Sequence, residues 1–207
     1  MSSISTLSKP AAQAEIAEAL NQSVAETAVT TMLAQNFHWN VTGMAFGPLH
    51  DLFQTIYEDH FAGQDDLAER IKAVGGHAEG MLAGMVSRSK VTEHDGHASD
   101  REMITMMLQA QETLAETLAG TGDVAATHGD KLTEDLCIER GQVHEKFAWM
   151  LRSHLEAEAN SGFSHRRRRF LATLAVIGLF PMTVATQRFL LCAQHLDKGL
   201  LHAGLFQ

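Results

Sequence analysis

The chain has 207 residues, of which 45% are hydrophobic and 20% charged, with a formal net charge of −9. That length suits one domain with an appendage and is enough to bury a real core. The charge is uneven: residues 1–158 carry 10 Lys and Arg against 24 Asp and Glu, an acidic body that suits cations and repels nucleic acid, whereas residues 159–207 carry 6 basic residues against one acid.

Residues 1–11 are a polar, Ser-rich arm whose one basic residue is Lys9. A helix is expected from Ala12 to about Val41. Its apolar residues Ile16, Leu20, Val24, Ala28 and Met32 recur every four positions, with Ala25, Val29, Leu33 and Phe37 alongside. Asn40 to Gly47 breaks it, and Pro48 opens a second helix. The stripe of that helix is Leu49, Leu52, Phe53, Ile56, Tyr57, Phe61, Leu67, Ile71 and Val74, and Gly75-Gly76 ends it. At 1.5 Å per residue it is about 40 Å long.

Residues 77–98 form a Gly/His/Ser-rich connection with a short helix near 78–86. Ser99 or Asp100 then caps a third long helix, with Met103, Ile104, Met107, Leu108, Leu114 and Leu118 on its apolar face. It is expected to weaken around Gly120–Gly122 and to finish before Gly129. A fourth runs from about Asp130 to Ala157, carrying Leu132, Leu136, Val143, Phe147, Met150, Leu151 and Leu155. Four long helices joined by short or moderate links describe an all-α four-helix bundle over residues 12–158.

The C-terminal extension, 159–207, differs in kind. Arg166 to Arg169 precede an uncharged run from Phe170 to Thr186, interrupted by Pro181 and closed by Arg188. Its length is near the minimum of roughly 17 residues for a membrane span. Three expectations stand for it: a helix or loose appendage beside the bundle, a membrane attachment through 170–186, or nucleic-acid contact by the arginines. Cys137 and Cys192 allow one disulfide at most and suit a reducing compartment, and the first twenty residues show no secretory pattern, so the expected location is the cytoplasm.

The second helix carries metal-binding side-chain types. His38 lies at the end of the first helix and His50 at the start of the second, while Asp65 and Glu69 are four apart and share a face. His50 and Asp65 are fifteen residues apart, about 22 Å along a helix axis, whereas metal–ligand bonds are near 2 Å. One straight helix cannot bring both pairs to one ion. Two copies of that helix, antiparallel about a two-fold axis, would bring His50 of one chain to Asp65 and Glu69 of the other. His60, His77, His94, His97 and His144 are expected on the surface or in structural networks. Asp130 and Glu134 are candidate pore residues or compensate the helix dipole.

The segments HWNVTG, FGPLHDLF and DDLAERIKAVGG, with GQVHEKFAWMLRSHLE in the fourth helix, resemble the Dps family, the ferritin-like DNA-protection proteins of starved bacteria. The resemblance covers roughly residues 10–158 and implies a ferritin-like four-helix subunit assembling as a hollow dodecamer. It further implies ferroxidase centres at dimer interfaces, where Fe(II) is oxidised by hydrogen peroxide and ferric mineral is stored inside. The family's ligand pattern falls on His38 and His50 of one subunit and on Asp65 and Glu69 of its partner, with Trp39 as the neighbouring tryptophan. Where the family places a carboxylate four residues after the second histidine, this chain has Gln54. Two functions compete: an iron-oxidising, DNA-protecting cage, and a DNA-compacting protein of weakened ferroxidase activity. A membrane-associated cage is the third.

Overall fold

The computed structural model describes residues 9–176, with side chains as far as 156. Five helices follow in order: α1 Pro10–Asn40, α2 Phe46–Ala73, α3 Leu82–Arg88, α4 Asp100–Thr127 and α5 Lys131–Val176. Among the described residues there is no strand. The chain divides into two units, residues 1–158 and 159–207, and the first holds α1 to α4 and α5 as far as Glu158.

The helix ends follow local chemistry. Pro10 is the first residue of α1, where a missing N–H costs nothing. Pro48 does not open α2 but sits in its first turn, still among the amides that have no partner within the helix. The first α-type bond there comes from Leu49 N–H to the Ala45 carbonyl. Gly75, at φ +89°, stops α2 in a left-handed conformation that a larger residue would resist. Ser99 caps α4 reciprocally with Glu102, each side chain serving the other's backbone amide.

Neighbouring helices run antiparallel. Arg70 of α2 meets Asp130 at the start of α5, and Arg140, further along α5, reaches back to Asp59. In α4 and α5, Gly122 lies against Cys137 and Gln111 against His144. α1 packs on both α2 and α4. With α2 and α4 both opposed to α5, they must run the same way, so the chain crosses the length of the bundle between them. Residues 74–99, including α3, make that crossing.

The core has two apolar ends. One gathers Leu33, Phe37, Phe53, Met107, Phe147 and Leu151; the other gathers Ile16, Leu20, Leu67, Ile71, Leu118 and Cys137. Burial pushes the Cys137 thiol up to about 12, so it packs as a small apolar group and not as a nucleophile. Between the ends lies a polar waist. α1 contributes Glu26, Thr27, Thr30 and Thr31, α2 His60, α4 Gln111, and α5 Arg140 and His144, all buried. The three α1 threonines donate to carbonyls one turn back, which satisfies them inside their own helix.

Several expectations from the sequence are corrected. Met32 is exposed, because a row of residues four apart drifts by about 40° per step and leaves the core after four steps. Phe61 is 73% exposed while His60 is fully buried, so the inward position of α2 belongs to the histidine. His144 is likewise in the core, so of the two places expected for these histidines it takes the structural network and not the surface. Leu132 is exposed. α4 is unbroken through Gly120–Gly122, since Gly122 packs against the Cβ of Cys137 and gains from the close approach of α5. α5 continues past Ala157 through Asn160-Ser161-Gly162. Asp130 is held below the usual carboxylate range: burial opposes this, but the Arg70 ion pair and the Thr133 hydroxyl and amide outweigh it. It is engaged as a helix cap and ion-pair partner. Glu134 pairs with Lys131.

Among the described residues, no helix is long and apolar enough to cross a membrane. The 170–186 segment is described only as far as Val176. The rest of it, Cys192, and the arm before Lys9 lie outside the described residues.

Phe53 is fully enclosed at one apolar end. Phe53→Ala is expected to lower stability by about 3–5 kcal/mol, read as a shift of the urea unfolding midpoint at fixed protein concentration.

Candidate metal centre

The corner between α1 and α2 sets the first half of the site. His38 lies in the last turn of α1, where backbone carbonyls have run out of amide partners. His50 lies in the second turn of α2. Their rings stack, with centroids 3.7 Å apart and planes at 22°. His38 Nδ1 lies 2.9 Å from the His50 carbonyl oxygen, and His50 Nδ1 lies 2.9 Å from the His38 carbonyl oxygen.

A carbonyl oxygen only accepts, so both Nδ1 atoms carry hydrogen and donate. Each Nε2 is therefore left with its lone pair, the form in which imidazole binds a metal. A backbone carbonyl holding the other ring nitrogen is also the usual second support of a histidine ligand. Tyr57 stands edge-on to His38 at 5.4 Å between centroids, and Phe46 flanks His50 at 5.0 Å. Trp39, beside His38, is 63% exposed.

The second half lies far along α2. Asp65 and Glu69 are exposed, one turn apart. At 100° per residue, Asp65 is turned by about 60° from His50, so both halves occupy one side of the helix but are separated along it. Among the described residues, no three His, Cys, Asp or Glu side chains come together to hold a metal. The two histidines are brought together within one chain, and the two carboxylates are not brought to them.

Gln54 stands one turn beyond His50, and its amide donates to Glu58 Oε1 at 2.7 Å. That contact directs the amide nitrogen to a carboxylate. The position supplies no charge of its own.

Sequence reasoning missed the polar waist as a feature. His60, Gln111, Arg140 and His144 all fall on apolar rows of their helices, three or four residues from core neighbours such as Ile56, Met107, Cys137 and Phe147. A polar residue in phase with an apolar stripe was the available signal. They sit inside the bundle.

Comparison with known proteins agrees with this architecture. The Ferritin-like domain family model matches residues 17–159. The "DNA protection during starvation protein" of Brevibacillus brevis is 35% identical over 150 residues, covering 72% of this chain and 99% of that protein. The crystal structure of a Dps protein from Bacillus brevis superimposes with a TM-score of 0.69 at 33% identity, covering 71% of this chain and 99% of that one. The Dps protein of Vibrio cholerae O1, a member of a broad superfamily of ferritin-like diiron-carboxylate proteins, does so with a TM-score of 0.69 at 26% identity, covering 74% of this chain and 99% of the other. With its four antiparallel helices, long crossover and histidine corner, the chain belongs to the Dps family of ferritin-like proteins.

Proposed function

We propose that this protein is an iron-oxidising, iron-storing cage subunit that consumes Fe(II) and hydrogen peroxide and so protects DNA from oxidative damage. The observation that carries this reading is the pair of free Nε2 atoms on the stacked His38–His50 rings, with no third ligand among the described residues of their own chain. A second copy with its α2 antiparallel about a two-fold axis would supply Asp65 and Glu69 to that pair, and the dimer would hold two equivalent centres. In the family's usual assembly, six such dimers make a hollow dodecamer. The acidic body, 24 Asp and Glu against 10 Lys and Arg over residues 1–158, favours cation entry.

Neutral imidazoles and ionised carboxylates together suit a first-row divalent metal and leave positions open for an oxidant. Two Fe(II) ions give one electron each. Peroxide takes both, its O–O bond breaks, and its oxygens leave as water or hydroxide. The negative carboxylates favour the Fe(III) product. Removing both reactants together suppresses hydroxyl-radical formation, a protection of DNA by chemistry that fits the name carried by the Brevibacillus relative.

The DNA-compacting alternative has less support. The described part of the N-terminal arm offers Lys9 alone, and the remaining concentration of positive charge is Arg166 to Arg169. Replacing those four arginines by serine in the full chain is expected to abolish whatever gel retardation of duplex DNA the parent shows at low salt. Retardation equal to the parent's would remove the arginines as its cause.

Peroxide-dependent oxidation of Fe(II), followed by absorbance alongside particle size by light scattering, is the direct test of the iron reading. His50→Ala is expected to lower the rate at least tenfold with the particle size unchanged; an undiminished rate rejects the histidine corner as the site. Gln54→Asp adds a charge where the family keeps one, and is expected to tighten Fe(II) binding about tenfold, near 1.4 kcal/mol. Unchanged binding would show that position 54 does not face the metal.

A further inference from the structure

The polar waist of the bundle has a fixed proton order. Arg140 of α5 crosses α2 at Gly63, where any Cβ would collide with its guanidinium, and so reaches Asp59. Asp59 Oδ1 stands 3.6 Å from His60 Nδ1. His60 Nε2 is 3.0 Å from the Gln111 amide nitrogen, and His144 Nδ1 is 2.9 Å from Gln111 Oε1.

The two Gln111 contacts allow two assignments, and the charge of Asp59 selects between them. At 3.6 Å it is no hydrogen-bond partner, but it favours the hydrogen on His60 Nδ1, so His60 Nε2 accepts. Gln111 must then donate to His60, which turns its oxygen to His144. His144 donates from Nδ1, and its Nε2 keeps a bare lone pair. That atom is fully buried and has no hydrogen-bond partner. The His60 ring stands edge-on to the His144 ring at 4.8 Å between centroids, and Phe147 packs on His60 at 5.7 Å.

We propose that His144 is a proton-operated latch: the folded bundle requires it neutral, and protonation at Nε2 in acid breaks the waist that holds α5 to α2 and α4. A proton arriving there makes a buried cation with no hydrogen-bond acceptor, on the far side of Gln111 from Asp59. The charges facing it are Arg140 from α5, which repels it, and Asp59 from α2, which lies beyond His60. α4 presents neutral Gln111 and the Met107 sulfur that the same amide touches. The charged group of α1 at the waist is Glu26, engaged by Gln22 and 4.0 Å from Lys90. A leucine at 144 would fill the same core position and could not take up a proton, though it would leave Gln111 Oε1 without its donor.

Burial holds His144 well below the usual histidine range, with His60 and Arg140 adding to the effect and Asp59 opposing it. The sign follows from this. The unfolded chain takes up a proton near 6.5, whereas the folded chain does not. Stability is fully present above about pH 6.5 and falls as the pH drops below it, by up to tenfold in the unfolding constant per pH unit for this one group.

The test uses the full-length protein. Exchange of the histidine C2 hydrogen, read by mass spectrometry between pH 5 and 8, is expected to be far slower at His144 than at exposed His97, with no inflection near 6.5. An inflection there overturns the proposal. Urea unfolding from pH 7 to pH 5 is then compared with His144→Leu. The variant is expected to lose close to a tenfold change per pH unit from the parent's dependence, and identical slopes would overturn the latch. Should the variant not fold, the exchange profile of the unaltered protein decides between the same two outcomes.

Discussion

The outward chemistry of the candidate centre depends on two hydrogen bonds that face inward. Each histidine of the α1–α2 corner donates to the other's carbonyl, and this does three things together. It satisfies a carbonyl that the end of α1 leaves without an amide. It clamps the helix junction with two neutral bonds, each of order 1 kcal/mol net. It also fixes both tautomers, so that both Nε2 lone pairs are free for a metal. A ring lost from either position frees the other to rotate and to change tautomer. The pair therefore acts as one unit, and neither residue has a separable contribution.

The second constraint is the stiffness of α2. A continuous helix of 28 residues cannot fold Asp65 back onto His50. The carboxylates project from the same side of the helix, about 22 Å further along. On the proposed reading, metal chemistry at the corner would belong to an interface, and the exposed faces of α2 would matter as much as the buried ones. Phe61, exposed between the two halves, is large and apolar on that helix. Gln54 is where this chain's electrostatics depart from the family. Its amide is tied to Glu58, so negative charge lies one turn beyond the position where a ligand carboxylate is usual.

Much of this was legible in the residues. The four long helices, their order and the Ser99 cap followed from apolar spacing and turn residues, because those signals are local. The motif around His38, Trp39 and His50 carried the family. What spacing could not resolve was which of two neighbouring residues points inward. Phe61 is the more hydrophobic of the pair at 60 and 61, but the helix phase set by Ile56 and Leu67 places His60 inside. Hydrophobicity loses to geometry there because the facing residues, Gln111 and His144, complete a polar network with it. Gly63 was equally silent: nothing in a sequence says that the distant Arg140 needs its missing side chain.

The waist also bears on register. Two apolar ends built from Leu, Ile, Phe and Met tolerate sliding of one helix against another, since such side chains pack in many arrangements. Arg140 does not tolerate it. Sliding α5 by one heptad, about 10.5 Å at 1.5 Å per residue, would carry the guanidinium away from Asp59 and from the gap at Gly63. A buried charge left without its partner costs about 3–5 kcal/mol, comparable with the removal of a core aromatic. The burial that makes His144 costly to protonate thus belongs to the same layer that makes α5 costly to misplace. The bundle takes its shape from its apolar ends and its alignment from the polar layer between them.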